Sequence, residues 1–173
     1  VMSGSPTDVQ PVFDAITTRA RLLCNALGAI TTRLDGDILH WVAVDTVADR
    51  EAVHRVRDMF PVKLEDSAIS ARSIAERRPA IVEDFANAPD YPAELGAAVL
   101  RTGTRSALSV PMMQGDRAVG SMMVFRDCTG TFPPEQVRLV QSFAAQAVIA
   151  IENVRLFNET REALNQQTAI SDI

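Results

Sequence analysis

The sequence contains few of the residues from which catalytic and metal centres are built. Its 173 residues include 2 cysteines and 2 histidines. Cys24 and Cys128 lie far apart, without a Cys-x-x-Cys or other metal-ligand spacing, which excludes a disulfide framework and argues against a zinc site. There is no Gly-x-Ser-x-Gly turn, glycine-rich phosphate loop, or kinase or cyclase motif. The sequence therefore predicts a domain that catalyses no reaction and holds no metal ion.

Aromatic residues and positive charge are also scarce. The chain has 1 Trp, 1 Tyr and 7 Phe, which are not interleaved with Lys or Arg, and its net charge is -5. Single-stranded nucleic acids are held by basic grooves and stacking aromatic side chains, and duplexes by basic surfaces. The composition therefore argues against a nucleic-acid partner.

Long apolar runs are missing too. None reaches the roughly 18 residues that span a bilayer, and the N-terminus lacks a basic region followed by an apolar stretch of signal-peptide type. We therefore expect no membrane contact by this domain and a cytoplasmic location. A longer parent protein could still carry a membrane span elsewhere.

What the sequence does contain is enough apolar material for one core. Hydrophobic residues make up 47% of the chain and charged residues 23%. A chain of this length closes one core more readily than two. The prediction is one globular domain.

The first helix is indicated by apolar residues at helical spacing. Thr7 and Gln10 form a capping box at its start, and the apolar period continues to Leu27, where Gly28 ends the helix. Other segments are predicted as a weak helix at 48–58, a helix from Asp66 or Ser67 to about Arg77, a strand at 80–84, a loop at 85–92 and a short helix at 93–102.

Two hairpins determine the predicted fold class. Residues 29–45 contain the turn Asp35-Gly36, and residues 105–125 form two apolar strands around Gln114-Gly115-Asp116. Long hairpins require antiparallel pairing, whereas a doubly wound fold requires parallel strands. We therefore predict the α+β class, an antiparallel sheet with helices on both faces.

The last helix is predicted from about Glu135 to Gln167 and is longer than one domain needs. With Val140 at heptad position a, one seam contains Val140, Phe143, Ala147, Ala150, Val154, Phe157 and Leu164. This seam predicts a homodimer contact through Val140, Ala147 and Val154. The alternative is a helix buried within a monomer.

Several of these features together resemble the GAF domain family. The hairpin at 105–125, Phe132 before the last helix, and the run 143–157 match its pattern in order, and the resemblance extends from about Pro6 to Leu156. The last run is similar to the form found in bacterial sensor histidine kinases and nucleotide cyclases. The resemblance implies that the first and last helices share one face of the sheet, with the middle helices and loop on the other.

The resemblance also implies a domain organisation and a function. We expect a flexible N-terminus at 1–6, a sensory domain at 7–160, and at 161–173 the start of a connector helix to a further domain. The expected function is non-catalytic sensing of a small molecule or partner, most naturally in a sensor histidine kinase. The alternatives are the input domain of a nucleotide cyclase, a purely structural dimerisation module, and a stand-alone reductase that uses Cys128.

A ligand pocket is predicted where the loop at 85–92 and the following helix cover the sheet. Its candidate apolar residues are Trp41, Phe85, Tyr91, Leu108, Met112 and Met123, and its candidate polar residues are Arg105, Ser106, Ser109 and Ser121. Ordinary core packing is the alternative for each of them. Arg105 is expected either to pair with Asp84 or Asp90 or to bind an anionic ligand.

Two ligands known in the family are disfavoured by residue types. Bilin-binding relatives use a cysteine before the fourth strand, and residues 97–104 contain none. Relatives that bind cyclic nucleotides resemble Asn-Lys, Phe and Asp-Glu, where this chain has Arg126-Asp127, Phe132 and Gln136-Val137. No cofactor is therefore expected.

Overall fold

A six-stranded antiparallel sheet forms the centre of the computed structural model, which describes residues 8–171. The strands are β1 Gly28–Asp35, β2 Ile38–Thr46, β3 Val62–Lys63, β4 Ala80–Val82, β5 Ser106–Gln114 and β6 Arg117–Arg126. Their order across the sheet is β3-β2-β1-β6-β5-β4, and every neighbouring pair is antiparallel. The predicted α+β class is confirmed. The predicted flexible segment 1–6 lies outside the described residues.

Helices cover both faces of this sheet. They are α1 Gln10–Leu23, α2 Arg50–Asp58, α3 Ala68–Glu76, α4 Ala93–Arg101 and α5 Pro134–Ser171. Helices α1 and α5 pack together on one face, and α3 packs on the other against β4, β5 and β6. On that second face α2 contacts α4, and α4 contacts a 3₁₀ turn at Phe85–Asn87.

Strand alternation divides the interior into two hydrophobic clusters. Leu108, Val110 and Val124 face α1 and α5, in a cluster that includes Phe13, Val140 and Phe143. Ala107, Phe125 and Ile30 face the other way, in a cluster with Phe85 and Ile69. The sheet therefore separates the long helix from the covering helices.

The first helix is shorter than the sequence pattern predicts. It begins at Gln10 after Val9, which makes no side-chain cap, and ends at Leu23, followed by Asn25 in the left-handed region at φ 48°. The predicted cap residue Thr7 lies outside the described residues. Gly28 does not end the helix but begins β1, where a Cβ would lie 2.1 Å from the Phe125 ring. The close approach of that ring, and not a helix stop, requires glycine here.

The last helix continues well beyond the folded body. It contains 38 residues, so it is about 57 Å long at 1.5 Å per residue. From Arg155 to Ser171 every side chain is exposed. No helix in residues 8–171 combines the length and apolarity needed to cross a membrane.

The predicted intersubunit contact is wrong for two of its three residues. Val140 and Ala147 are each 0% exposed within one chain, because they pack in its own core under the sheet. Val154 is half-buried. A second subunit therefore has no access to Val140 or Ala147.

A candidate ligand cavity beneath helices α2 and α4

A small cavity lies between the sheet and a cover formed by α2, α4 and the 3₁₀ turn Phe85–Asn87. Its volume is about 50 Å³. It is lined by Ile30, Trp41, Val53, Val56, Phe60, Ser67, Phe85, Tyr91, Leu95, Val99, Thr102, Thr104, Ala107, Met123 and Phe125. None of these side chains is ionised at neutral pH.

The floor of the cavity comes from the central strands. Ile30 pairs with Met123, and Ala107 pairs with Phe125, in neighbouring antiparallel ladders. Residues paired across strands project to the same face, so these four side chains form one patch. The small Ala107 leaves the space that larger neighbours enclose.

The cover consists of apolar helix residues and two aromatic pairs. Val53 and Val56 come from α2, where they are three residues apart and share a face. Phe85 and Tyr91 meet edge to face, with centroids 5.0 Å apart and planes at 87°. Trp41 and Phe60 lie 5.1 Å apart in a tilted arrangement. These contacts enclose the cavity with aromatic surface on two sides.

The polar groups of the lining differ in how well they are bonded. The Thr102 and Thr104 hydroxyls lie 2.7 Å apart, and Thr102 also donates to the Val99 carbonyl. Burial raises the pKa of the Tyr91 phenol, so it stays neutral. Trp41 Nε1 is buried and has no acceptor among residues 8–171. An indole N–H left without a partner costs free energy that an incoming acceptor would recover.

The structure brings together four of the predicted pocket residues. Trp41, Phe85, Tyr91 and Met123 all line the cavity. Leu108 and Met112 do not, because they face the cluster under α1 and α5 on the opposite side of the sheet. Their neighbour Ala107 takes the place predicted for Leu108.

Two of the predicted serines lie on the cavity side of the sheet, but under α3. Ser121 Oγ lies 2.7 Å from Thr32 Oγ1 and donates to Ser70 Oγ at 3.1 Å. Ser109 Oγ lies 3.0 Å from Ser73 Oγ. We call these five residues the hydroxyl layer. Their hydroxyls bond one another and do not line the cavity.

The remaining predicted serine, Ser106, is bonded at the end of β5. Its hydroxyl donates to the Cys128 carbonyl at 2.7 Å and accepts from the Arg126 guanidinium at 3.2 Å. Arg126 also stacks on Phe132, 3.8 Å from the ring centroid. Ser106 therefore fixes the loop after β6.

Arg105 lies outside the cavity and pairs with Asp84. Its guanidinium donates to the carboxylate at 3.4 Å, and the two side chains are 45% and 25% exposed. Asp84 also accepts from Asn87 Nδ2 and the Ala86 N–H, and these bonds, more than Arg105, hold its pKa below the ordinary value. Asp84 thereby caps the 3₁₀ turn that carries Phe85.

Several lining residues were not predicted from the sequence. They include Val53 and Val56 on α2 and Leu95 and Val99 on α4. Their helical spacing is a usable signal, because apolar residues three or four apart mark the face that a short helix buries. The floor residue Ala107 carries no such signal.

Neither cysteine lines the cavity. Cys24 is buried in the cluster under α1 and α5, and burial raises the pKa of its thiol. Cys128 is exposed in the loop after β6.

The fold and the covered cavity can be compared with known proteins. The sequence profile of the GAF domain matches residues 6–152. The chain belongs to the GAF domain family. The resemblance inferred from the hairpins and last helix is thereby confirmed.

Solved GAF-type structures share this architecture at low sequence identity. The GAF domain/HD domain protein of Geobacter sulfurreducens is 14% identical with a TM-score of 0.75, over 87% of this chain and 96% of that chain. A domain described as belonging to a two-component sensor histidine kinase of Sinorhizobium meliloti 1021 is 17% identical with a TM-score of 0.71, over 89% and 97%.

A third structure with the same fold comes from an enzyme. The free methionine-R-sulfoxide reductase of Neisseria meningitidis, solved with its substrate, is 14% identical with a TM-score of 0.68, over 87% of this chain and 81% of that chain. At these identities the likeness shows the fold and not the activity of this GAF domain.

Proposed function

We propose that this GAF domain is a sensory module that binds a small molecule in the cavity and signals through α5. The proposal rests on the apolar cavity and on the way its cover is attached. Helix α2 of the cover makes its principal contact with another covering helix, α4. A cover attached in this way can move without disrupting the sheet. Sensing of this kind requires no catalytic group.

The sheet supplies a physical route from the cavity to the long helix. Met123 lines the cavity, and its neighbours Met122 and Val124 are each 0% exposed on the face under α1 and α5. Close-packed interiors transmit small displacements because they contain few voids. A ligand that shifts β6 at Met123 therefore acts on α5 through Met122 and Val124.

The end of the β5–β6 hairpin provides a second link to α5. Gln114 at the end of β5 donates a hydrogen bond to Glu152, shortly before the helix becomes fully exposed. Movement of the hairpin changes this contact. The exposed remainder of α5, which runs to Ser171 within the predicted connector 161–173, would pass the change to an output domain in the same chain.

The proposed parent is a cytoplasmic sensor histidine kinase. The fold similarity to a domain described as part of such a kinase supports this choice, together with the run at 143–157. A nucleotide cyclase output stays the alternative. A reductase that uses Cys128 is less favoured, because neither cysteine lines the cavity.

A cavity-filling variant tests whether ligands act at this site. Ala107 is 1% exposed and lines the cavity, and valine there would occupy much of the roughly 50 Å³ while suiting a strand. In a thermal-shift screen of small molecules, we expect compounds that stabilise the wild type and lose this effect in Ala107→Val.

The melting temperature of the unliganded Ala107→Val variant serves as the control. It should stay within a few degrees of the wild type, since filling a void costs little when the added methyl groups fit. A screen in which every stabilising compound acts equally on both proteins would reject the cavity as the sensory site.

We also propose that the domain forms a homodimer, through an exposed side of α5 that shares Phe157 and Leu164 with the predicted seam but not its buried residues. Ile149, Leu156, Phe157 and Leu164 are between 45% and 62% exposed and lie on one uncharged side of the helix. This face continues into an apolar groove between α1 and α5 that includes Val12 and Ile149. Exposed apolar surface of this extent is typical of an interface.

The ion pairs beside the uncharged face of α5 are compatible with a second copy of the chain as the occupant. Arg155 pairs with Glu152 and Glu159, which lie three or four residues from Leu156 and therefore border the uncharged face, where these side chains stay partly exposed. Two copies could bring their uncharged faces together with these ion pairs at the polar rim of the contact.

Leu156→Glu tests the homodimer. It should weaken association at least about tenfold in sedimentation, because it places an unpaired charge in the contact. Asn158→Glu, which adds the same charge on the opposite side of the helix, should leave association unchanged. A monomeric wild type at all concentrations would reject the dimer.

A further inference from the structure

The lining of the cavity limits the charge of its ligand. Its side chains are apolar, aromatic or hydroxyl-bearing, and none is Asp, Glu, Lys, Arg or His. An ion buried there would lose its hydration without gaining a counter-charge. A small ligand makes too few contacts to compensate for that loss.

The hydrogen bonds within the lining indicate which polar group the ligand carries. Thr102 and Thr104 already satisfy each other. Trp41 Nε1, by contrast, is a buried donor with no acceptor in the described part of the chain, and Trp41 forms part of the cavity wall. Indole N–H groups donate only, so the missing partner must be an acceptor.

We propose that the ligand is an uncharged, mostly apolar molecule with one hydrogen-bond acceptor, such as a carbonyl oxygen, that accepts a hydrogen bond from the Trp41 Nε1–H. This inference rests on the proposed function of the cavity and adds the chemical class of its ligand. It excludes carboxylates, phosphates and ammonium ions from the site.

The size of the cavity determines how such a ligand enters. Its roughly 50 Å³ is about a third of the 150 Å³ cavity that holds benzene in an engineered protein. A ligand with a ring therefore requires the cover to move outward. Helix α2 is suited to this because its main contact is with α4, within the cover itself.

Three molecules of nearly the same shape test the proposal. Acetophenone carries a carbonyl, α-methylstyrene replaces its oxygen by a methylene group, and benzoate carries a charge. We expect acetophenone to bind the wild type about tenfold more tightly than α-methylstyrene, as one satisfied buried donor implies, and benzoate to show no binding. Binding of the probes is measured by ligand-observed NMR, with Ala107→Val as the variant in which the cavity is filled.

Two further variants identify the donor. In Trp41→Phe, which keeps an aromatic ring but removes the N–H, the preference for acetophenone should fall to about one. Tyr91→Phe removes a hydroxyl group from the lining but keeps the Trp41 N–H, so the preference for acetophenone should stay intact. A preference that survives in Trp41→Phe, or disappears in Tyr91→Phe alone, overturns the assignment to Trp41.

The outcomes separate this inference from the proposed function. The ligand class is wrong if benzoate binds as tightly as acetophenone, or if the two neutral probes bind equally tightly. The cavity nevertheless remains a binding site if Ala107→Val abolishes the binding of these probes. If none of the three binds, the ligand class is rejected. If in addition the wider screen finds no compound whose effect is lost in Ala107→Val, the proposed function is rejected as well.

Discussion

The covered face of the sheet has two halves that are packed in different ways. Under α3 the hydroxyl layer joins helix and strands, with Ser70, Ser73, Ser109 and Ser121 each 0% exposed. Under α2 and α4 the contact is apolar and encloses the cavity. Both halves rest on the same strands, so the difference comes from the side chains alone.

The comparison shows how one sheet can combine a fixed region with an adaptable one. Hydrogen bonds between buried hydroxyls have narrow limits of distance and angle, so α3 has one position on the sheet. Apolar contacts are not directional, and side chains such as Met123 can repack around a guest. We therefore expect the hydroxyl layer to hold the sheet while the cover responds to the ligand.

The largest expected effect comes from enlarging the cavity. Leu95 on α4 is 5% exposed and lines the cavity, so Leu95→Ala should lower the free energy of unfolding by about 3 kcal/mol. The enlarged space should then bind benzene, and saturating benzene should restore much of the loss. Urea unfolding with and without benzene measures both effects.

A substitution in the hydroxyl layer should behave differently. Ser121→Ala leaves Ser70 and Thr32 each without one buried partner, which should cost about 2 kcal/mol. Benzene should restore none of it, because the lost interaction is polar. Ser142→Ala, at an exposed position on α5, is the control and should change stability very little. If benzene rescued Ser121→Ala, the proposed difference between the two halves would be wrong.

Much of the fold could be predicted because its signals are local. The turns Asp35-Gly36 and Gln114-Gly115-Asp116 determine two hairpins, and hairpins determine antiparallel pairing. The short strand β3 was not predicted, since Val62–Lys63 is too short to show a period. Its position depends on pairing with Ile38 and Leu39 across the chain.

The pocket was harder to predict because its strands are buried on both faces. Residues 106–112 of β5 are all buried, so the run has no alternation of apolar and polar residues from which to choose a face. Leu108 and Met112 were consequently placed on the wrong side. The aromatic residues Trp41, Phe85 and Tyr91 were easier to assign, since large side chains flanking a covered face tend to reach into it.

Val140 and Ala147 were assigned to the dimer contact for a related reason. Helix α5 is apolar on more than one side, and a heptad pattern cannot tell an intrachain contact from an intersubunit one. The structure assigns Val140, Phe143 and Ala147 to the core of the chain itself. The exposed fractions of Ile149, Leu156 and Leu164 show which apolar side of α5 the folded chain leaves uncovered.

The smallest expected effect concerns a titratable group beside the cover. Asp84 caps the turn that carries Phe85 into the cavity, and its hydrogen bonds to Asn87 and Ala86, with the nearby Arg105, lower its pKa in the folded state. No corresponding carboxylate takes part in the bonds of the hydroxyl layer. We therefore expect acid to loosen the cavity half before the half under α3.

Asp84→Asn tests this expectation because the amide keeps the shape of the carboxyl group but not its charge. A carboxyl whose folded pKa lies below its unfolded value of about 3.9 stabilises the fold above that pH, and the contribution is lost as the pH falls through the folded pKa. The wild type should therefore be more stable than Asp84→Asn at about pH 7, and the difference in stability should shrink steadily below about pH 4 in urea unfolding.

Asp90→Asn is the control. It removes an exposed carboxylate from the same loop and should give a smaller difference in stability from the wild type at neutral pH. A difference between wild type and Asp84→Asn that stayed constant down to low pH would mean that the charge of Asp84 does not hold the turn, and the cover would then owe its position to apolar contacts alone.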